Sequence, residues 1–430
     1  MRMQGMKLRW QTGKNSNYEC SMSHLKLIGP FRQLLTLNHI PIKGPLQDNN
    51  LEIITDAGIL VHGGRIEAAG NFRELKTLSR ETMEVEGNMV AIPGLVDAHT
   101  HICWAGSRSG DYAMRLSGMT YGEIAHQGGG IWSTVTHTRH AGEEELASLT
   151  AGRAKILLQK GCTTVEVKSG YGLDLQNELK MLASIKKANE QSHVDLVPTC
   201  LAAHIKPRDF VGSANDYLKW IIQELLPVVK AQDLASRVDI YVDEGAFSPD
   251  AARDFLPKVR QLGFQITVHA DQFSIGGVRV AVEQNALSAD HLENSTDTDI
   301  SLIAASGVIP VVLPGSSMGL GIGFAPARKF LDAGASLAVA SDWNPGSAPM
   351  GNLLVQAAVL GMYEKLTMAE SLAAITYRAA IALGLYDRGV IRPGSLADII
   401  AYPCTDYRDI LYNQGNLMPS AVWKEGIRVV

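Results

Sequence analysis

Residues 90–101 read VAIPGLVDAHTH: small and branched apolar side chains pass into Asp97-Ala98-His99-Thr100-His101. A continuous apolar run suits a strand covered on both faces, as in a parallel sheet. Seven runs of the same kind follow: CTTVEVKSG (162–170), VDLVPTCLAAH (194–204), VDIYVDEG (238–245), FQITVHAD (264–271), ALSADHLE (286–293), VIPVVLPG (308–315) and SLAVASDW (336–343). Segments with helical apolar spacing lie between them, at 145–161, 177–191, 216–232, 248–263 and 324–334. Ser248 is placed to cap the fourth of these, with Pro249 in its first turn. Eight strands alternating with helices predict a (β/α)8, TIM-like barrel. The helix signal is weakest over TDTDISLIAASG (296–307).

The flanks read differently. DAGILVHGGRIEAAG (56–70) is two short strands about a Gly63-Gly64 turn, and IRPGSLADIIAY (391–402) and SAVWKEGIRVV (420–430) are strand-like. Neither flank can form a stable sheet alone. The expectation is one small β-sandwich domain built from residues 1–89 and 391–430, beside a barrel at 90–390. Residues 1–20 read as irregular, and residues 1–40 match no usable pattern.

At 430 residues, with 46% apolar and 19% charged side chains, the chain has material for a large core and no disorder signature. A net charge of −5 gives no reason to expect a nucleic-acid or membrane-surface partner. Five cysteines without CxxC spacing point to reduced thiols, and the basic start lacks the apolar stretch of a secretory signal. No stretch reaches about 18 uninterrupted apolar residues, so no membrane span is expected. Together these predict a cytoplasmic protein.

Five of the twelve histidines, His99, His101, His204, His269 and His291, fall at the C-terminal ends of predicted barrel strands, as does Asp342. Those ends converge on the face where barrel active sites are built. On a strand, residues two apart point to the same side, so His99 and His101 can reach one cation. Imidazole is a preferred ligand of zinc and ferrous iron. His269 from the fifth strand and Asp342 from the eighth would complete a site of three histidines and one aspartate. Asp97 reads as a supporting or packing residue. The chemistry expected is metal-assisted hydrolysis, in which one divalent ion per chain, zinc or iron, makes a hydroxide available. Asp342 would take the proton. His291 is read as a donor to the substrate carbonyl, with a ligand role left open. Lys168 reads as a buried, salt-bridged lysine, with a bridging carbamate as the alternative. Arg108, in the Gly-rich loop WAGSRSG, is placed to grip a carboxylate with two parallel bonds. Tyr121 and Tyr171 could add hydroxyl donors. Gly128-Gly129-Gly130 lacks phosphate-loop spacing and reads as an ordinary loop.

With these residues in view, the sequence resembles the amidohydrolase superfamily and, within it, the imidazolonepropionases. The general signals are PGLVDAHTH (93–101), His269, Asp342 and PGSLADII (393–400). The narrower ones are HICWAGSRSGDYAMRLSGMTYGEIAHQGGGI (101–131), TTVEVKSGYGLDLQNELKML (163–182), LAAHIKP (201–207) and ASDWNPGSAP (340–349). The resemblance implies attack of a metal-bound hydroxide on the ring carbonyl of 4-imidazolone-5-propanoate, a small acidic heterocycle, giving N-formimidoyl-L-glutamate in histidine catabolism. It implies His99, His101, His269 and Asp342 as ligands of one zinc or iron ion. It also implies Arg108, Tyr171, His204, Asn344, Gly346 and Ser347 as substrate or product contacts, and a homodimer. One position departs: many members carry Glu where this chain has Gln272, which can orient a ring but cannot shuttle a proton. The alternatives are a nucleobase-type aminohydrolase, against which Gln272, Arg108 and KSGYG weigh, and a catalytically inactive scaffold on the same fold, which would be expected to have lost ligands.

Overall fold

The computed structural model describes residues 25–119, 123–124 and 127–430. Among these the chain opens on β1 (Lys26–Leu35), β2 (Ile53–His62), β3 (Arg65–Asn71), β4 (Glu81–Glu84) and β5 (Val90–Pro93). The barrel follows: β6 (Leu95–Asp97), β7 (Cys162–Lys168), β8 (Asp195–Ala203), β9 (Arg237–Val242), β10 (Gln265–Ala270), β11 (Ser288–His291), β12 (Ile309–Val312) and β13 (Ala338–Val339). The chain ends on β14 (Ile399–Tyr402), β15 (Ala421–Lys424) and β16 (Ile427–Arg428).

Strands β6 to β13 pair in sequence order, all parallel. The ring closes beyond the ends of its first and last strands, where Thr100 bridges Trp343. Asp342 N–H donates to His99 O at 2.9 Å, and His101 N–H to Trp343 O at 3.0 Å. Asp97, buried, accepts from Ser341 N–H at 2.8 Å and ties the same two strands together. Its expected supporting role is thus a structural one, at the seam.

The second sheet has the order β16-β15-β14-β5-β1-β2-β3, with β4 beside β1. It curls around a core of its own that includes Ile28, Phe31, Ile59, Ile399 and Trp423. Phe31 and Trp423 meet edge to face at 6.0 Å, so the N- and C-terminal segments share one interior. This is the sandwich expected from the two flanks, with two differences. Its central strand β1 lies in the region where no pattern was legible. The run 90–101, read as one barrel strand, divides at Gly94: Val90–Pro93 pairs with β1 and β14, and only Leu95 onward joins the barrel. A Cβ on Gly94 would lie 2.2 Å from Thr163 Oγ1, so the switch between sheets passes where only glycine fits.

The helices fall close to the expected spans. Ser248 Oγ accepts from Ala251 N–H at 3.2 Å at the start of Pro249–Gln261. The weak segment forms a full helix, Asp297–Ala305, because Thr296 and Asp299 make a reciprocal capping box. Cys103, Cys162, Cys200 and Cys404 are free thiols. Among the described residues no helix is long and apolar enough to cross a membrane.

Candidate functional site

The barrel mouth gathers what the strand ends carry. His99 Nε2 and His101 Nε2 lie 3.3 Å apart, and Asp342 Oδ1 lies 3.6 Å from the first and 3.4 Å from the second. The His269 ring centre is 4.5 Å from that of His99 and 5.5 Å from that of His101. His291 stands 5.7 Å from His99 and 5.2 Å from His269, and His99, His269 and His291 also converge as a possible cation-binding trio. His99, His101 and Asp342 converge, His269 stands beside both histidines, and His291 is close enough to keep its alternative role geometrically open.

The donor set suits a cation. Asp342 Oδ1 is buried and has no hydrogen-bond partner among the described residues. Imidazole binds zinc at about 2.0–2.1 Å, which sets tetrahedrally placed ligand atoms about 3.3–3.4 Å apart. The spacings among His99, His101 and Asp342 match that figure. Burial holds His99 and His101 well below the usual imidazole range and takes His269 down to about 3, so all three are neutral, as ligands must be. Burial lifts the Asp342 carboxyl to about 6, against the charge of His291. Asp342 and His291 adopt left-handed backbone angles (φ +49° and +87°), a cost that clusters at functional sites.

Carboxylates stand behind the imidazoles. His99 Nδ1 donates to Asp290 Oδ2 at 2.6 Å, and His269 Nδ1 lies 2.8 Å from Asp239 Oδ2. A donor bond at Nδ1 leaves the Nε2 lone pair facing the mouth. Lys168 lies buried among Glu166, Asp239 and Asp290, the salt-bridged form of the two considered. For His291, burial opposes the charged form, but the carboxylate of Glu293, 3.7 Å from Nδ1, and then Asp342 outweigh it and raise its pKa.

The loops complete the rim. Arg108 Nε donates to Asp111 Oδ2 at 2.7 Å, and the same oxygen accepts from Gly130 N–H at 2.9 Å. Gly128-Gly129-Gly130 thus closes around the residue that aims Arg108. Tyr171 lies 6.0 Å from the His101 ring, and its loop is pinned by Glu178, which accepts from Gly170, Gly172 and Leu173 N–H. The Glu of the ELKML stretch therefore shapes KSGYG. His204 stacks on His101 at 5.5 Å, with Nδ1 at 3.0 Å from Gly170 O. Gln272 Oε1 accepts from Tyr241 O–H at 2.7 Å, and its Nε2 donates to Ser316 Oγ at 3.3 Å. Asp243 anchors the backbone of Gln272 and Phe273. Asn344 Oδ1 accepts from Gly346 and Ser347 N–H at 2.7 and 2.8 Å, so these three build their own loop. Tyr121 lies outside the described residues.

Sequence reading missed Asp111, Asp239, Tyr241 and Asp290. A signal existed for two: Asp239 and Tyr241 alternate in VDIYV, so they point the same way from an otherwise apolar strand.

A family model described as the amidohydrolase family matches residues 90–429. An imidazolonepropionase of Deinococcus deserti is 41% identical over 377 residues, covering 87% of this chain and 92% of that protein. One of Bacillus mycoides is 37% identical over 382 residues, covering 88% and 90%. Among solved structures, a zinc-bound adenosine deaminase of Xanthomonas campestris superposes with a TM-score of 0.70 at 19% identity, covering 94% of this chain and 92% of that one. A guanine deaminase of C. acetobutylicum with bound guanine does so with a TM-score of 0.68 at 15% identity, covering 95% and 100%. At those identities the structures share the fold.

Proposed function

The chain belongs to the imidazolonepropionases of the amidohydrolase family, and on that premise we propose that it hydrolyses the ring amide of 4-imidazolone-5-propanoate, giving N-formimidoyl-L-glutamate in histidine degradation. It is a metal-dependent hydrolase. His99, His101, His269 and Asp342 would hold one divalent cation per chain, zinc or iron, since three imidazoles and a carboxylate suit both. When bound, the cation supplies the Lewis acidity that makes water a nucleophile near neutral pH.

The chain's own residues do the rest. Asp342 takes the proton of the attacking water and returns it to the ring nitrogen as the C–N bond breaks. His291, whose pKa Glu293 raises, donates to the ring carbonyl oxygen as negative charge grows there. Gln272, held by Tyr241, orients the ring without moving a proton. Arg108 grips the propionate, and Tyr171 and His204 wall the ring. Asn344 shapes its loop, and Gly346 leaves room for the guanidinium.

The observation that supports this reading is the convergence of His99, His101 and Asp342 at the barrel mouth, with His269 beside His99. It is tested by following imidazolone absorbance and formimidoylglutamate on one sample whose metal content is also measured. Ammonia release from a nucleobase in place of imidazolone turnover would make the chain an aminohydrolase. Absence of bound metal after gentle purification would make it an inactive scaffold.

A further inference from the structure

The Lys168 side chain is fully buried, and its Nζ lies 2.8 Å from Asp239 Oδ2, 2.9 Å from Glu166 Oε2 and 3.7 Å from Asp290 Oδ2. Two of these oxygens are the ones that face the histidines: Asp239 Oδ2 faces His269 Nδ1, and Asp290 Oδ2 receives His99 Nδ1–H. One ammonium on β7 therefore stands behind carboxylates on β9 and β11, and through them behind imidazoles at the ends of β10 and β6. Glu166, the third partner, pairs with no histidine among the described residues; it also accepts from Thr199 Oγ1 at 2.6 Å. Arg237 is also buried and feels the charges of Glu166 and Asp290, and its Nε donates to Gln265 Oε1 at 3.3 Å.

We propose that Lys168 is a positioning residue for the metal centre, a two-armed brace whose ammonium fixes the carboxylates that orient His99 and His269 together. The reasoning is geometric. A carboxylate turns about its last bond unless its oxygens are held. Asp290 has Thr267 Oγ1 at 3.3 Å, and Asp239 Oδ1 has the His269 backbone N–H at 3.2 Å. Lys168 Nζ holds Asp239 Oδ2 at hydrogen-bond distance, and it faces Asp290 Oδ2 at the longer ion-pair distance of 3.7 Å, an oxygen that Thr267 Oγ1 also steadies. In a dry interior a charge-assisted contact is strong, and partners of this rank behind metal-ligating histidines change metal affinity by about 10–100-fold. Because one group serves two ligands on separate strands, its loss disturbs both at once.

This inference rests on the metal reading above, and its test separates the two. Zinc affinity is measured by chelator competition on the full chain and on Lys168→Gln and Lys168→Met, with the visible spectrum of cobalt-loaded protein as a readout of ligand geometry. Wild type that binds no ion ends the metal reading itself. The expected result is tight binding by wild type, about 10–100-fold weaker binding by both variants and an altered cobalt spectrum, at temperatures where the metal-free variants remain folded. Wild-type affinity and spectrum in the variants would overturn the brace. Should neither variant fold, Asp239→Asn and Glu166→Gln decide. Loss of affinity in the first with wild-type affinity in the second supports it. Equal effects in both overturn it, since a merely structural cluster would not distinguish the carboxylate that faces a histidine from the one that does not.

Discussion

The guanidinium of Arg108 rests on the bare Cα of Gly346: a Cβ there would sit 2.4 Å from Nη1 and 3.0 Å from Cζ. Gly346→Ala therefore pushes the carboxylate clamp out of place. Hydrogen bonds to charged groups contribute about 1.5–3 kcal/mol, so KM for imidazolone propionate is expected to rise about ten- to a hundredfold, with metal content unchanged. Arg108→Ala does the same by removing the clamp. Steady-state kinetics with metal analysis checks both, and normal substrate binding by Arg108→Ala would remove the clamp from the mechanism.

Asp111 aims that clamp. Its Oδ2 engages Arg108 Nε and Gly130 N–H together, leaving the Nη edge of the guanidinium for substrate. Asp111→Ala is expected to raise KM about tenfold, the low end of the range for one charge-assisted bond, and to leave kcat nearly unaltered. A fall in kcat at constant KM would place Asp111 elsewhere in the reaction.

If His269 is a ligand as proposed, His269→Ala should strip the ion and abolish turnover, as chelation of the wild-type protein should. Only the chelated protein regains activity when zinc or iron is restored. Activity and metal content measured on the same samples decide the matter. A His269→Ala protein that keeps both its ion and its turnover would contradict the ligand assignment.

Tyr241→Phe deletes the donor to Gln272 Oε1, which lies 2.7 Å away. The amide then loses its fixed orientation beside Ser316. Turnover is expected to fall by about threefold to tenfold, the scale of one neutral hydrogen bond, while Gln272→Leu falls at least as far. Kinetics of both variants and the double variant test the coupling: additive losses would mean that Tyr241 does not act through Gln272.

Trp423 is almost wholly buried and fills the interior of the second sheet against Phe31. Trp423→Ala leaves a large cavity there and is expected to cost about 3–5 kcal/mol. Denaturant unfolding measures it, and the metal content of the folded fraction should match wild type, because the cavity lies in a core separate from the barrel mouth.

Much of this molecule was legible in the chain itself because strand and helix periodicity are local. All eight apolar runs contribute a barrel strand, the first only from Leu95 onward, and His99 and His101, just past the end of β6, bring their Nε2 atoms together. The limits have physical causes too. β1 was missed because its burial pattern is interrupted at Pro30 and Arg32 and its partners lie in β2, β4 and β5, far along the chain. The break at Gly94 was hidden because both halves of VAIPGLVDAHTH are buried and apolar, and periodicity cannot say which sheet a buried strand joins. Arg108 could be named from its loop, but not the Asp111 that aims it or the Gly346 that makes room for it.

What the sequence by itself determined is the set of strands, the residues at their ends and the chemistry those residue types can support, since these depend on neighbours one to a few positions apart. Only the tertiary structure decided which carboxylate backs which histidine. Asp290 meets His99 across 191 positions, and Lys168 joins Asp239 to Asp290 from a third strand. Such pairings follow from barrel closure, which brings inward-facing side chains of separate strands into one dry space. There an unpaired charge is too costly to persist, and each ionised group is held by partners that chain order does not announce.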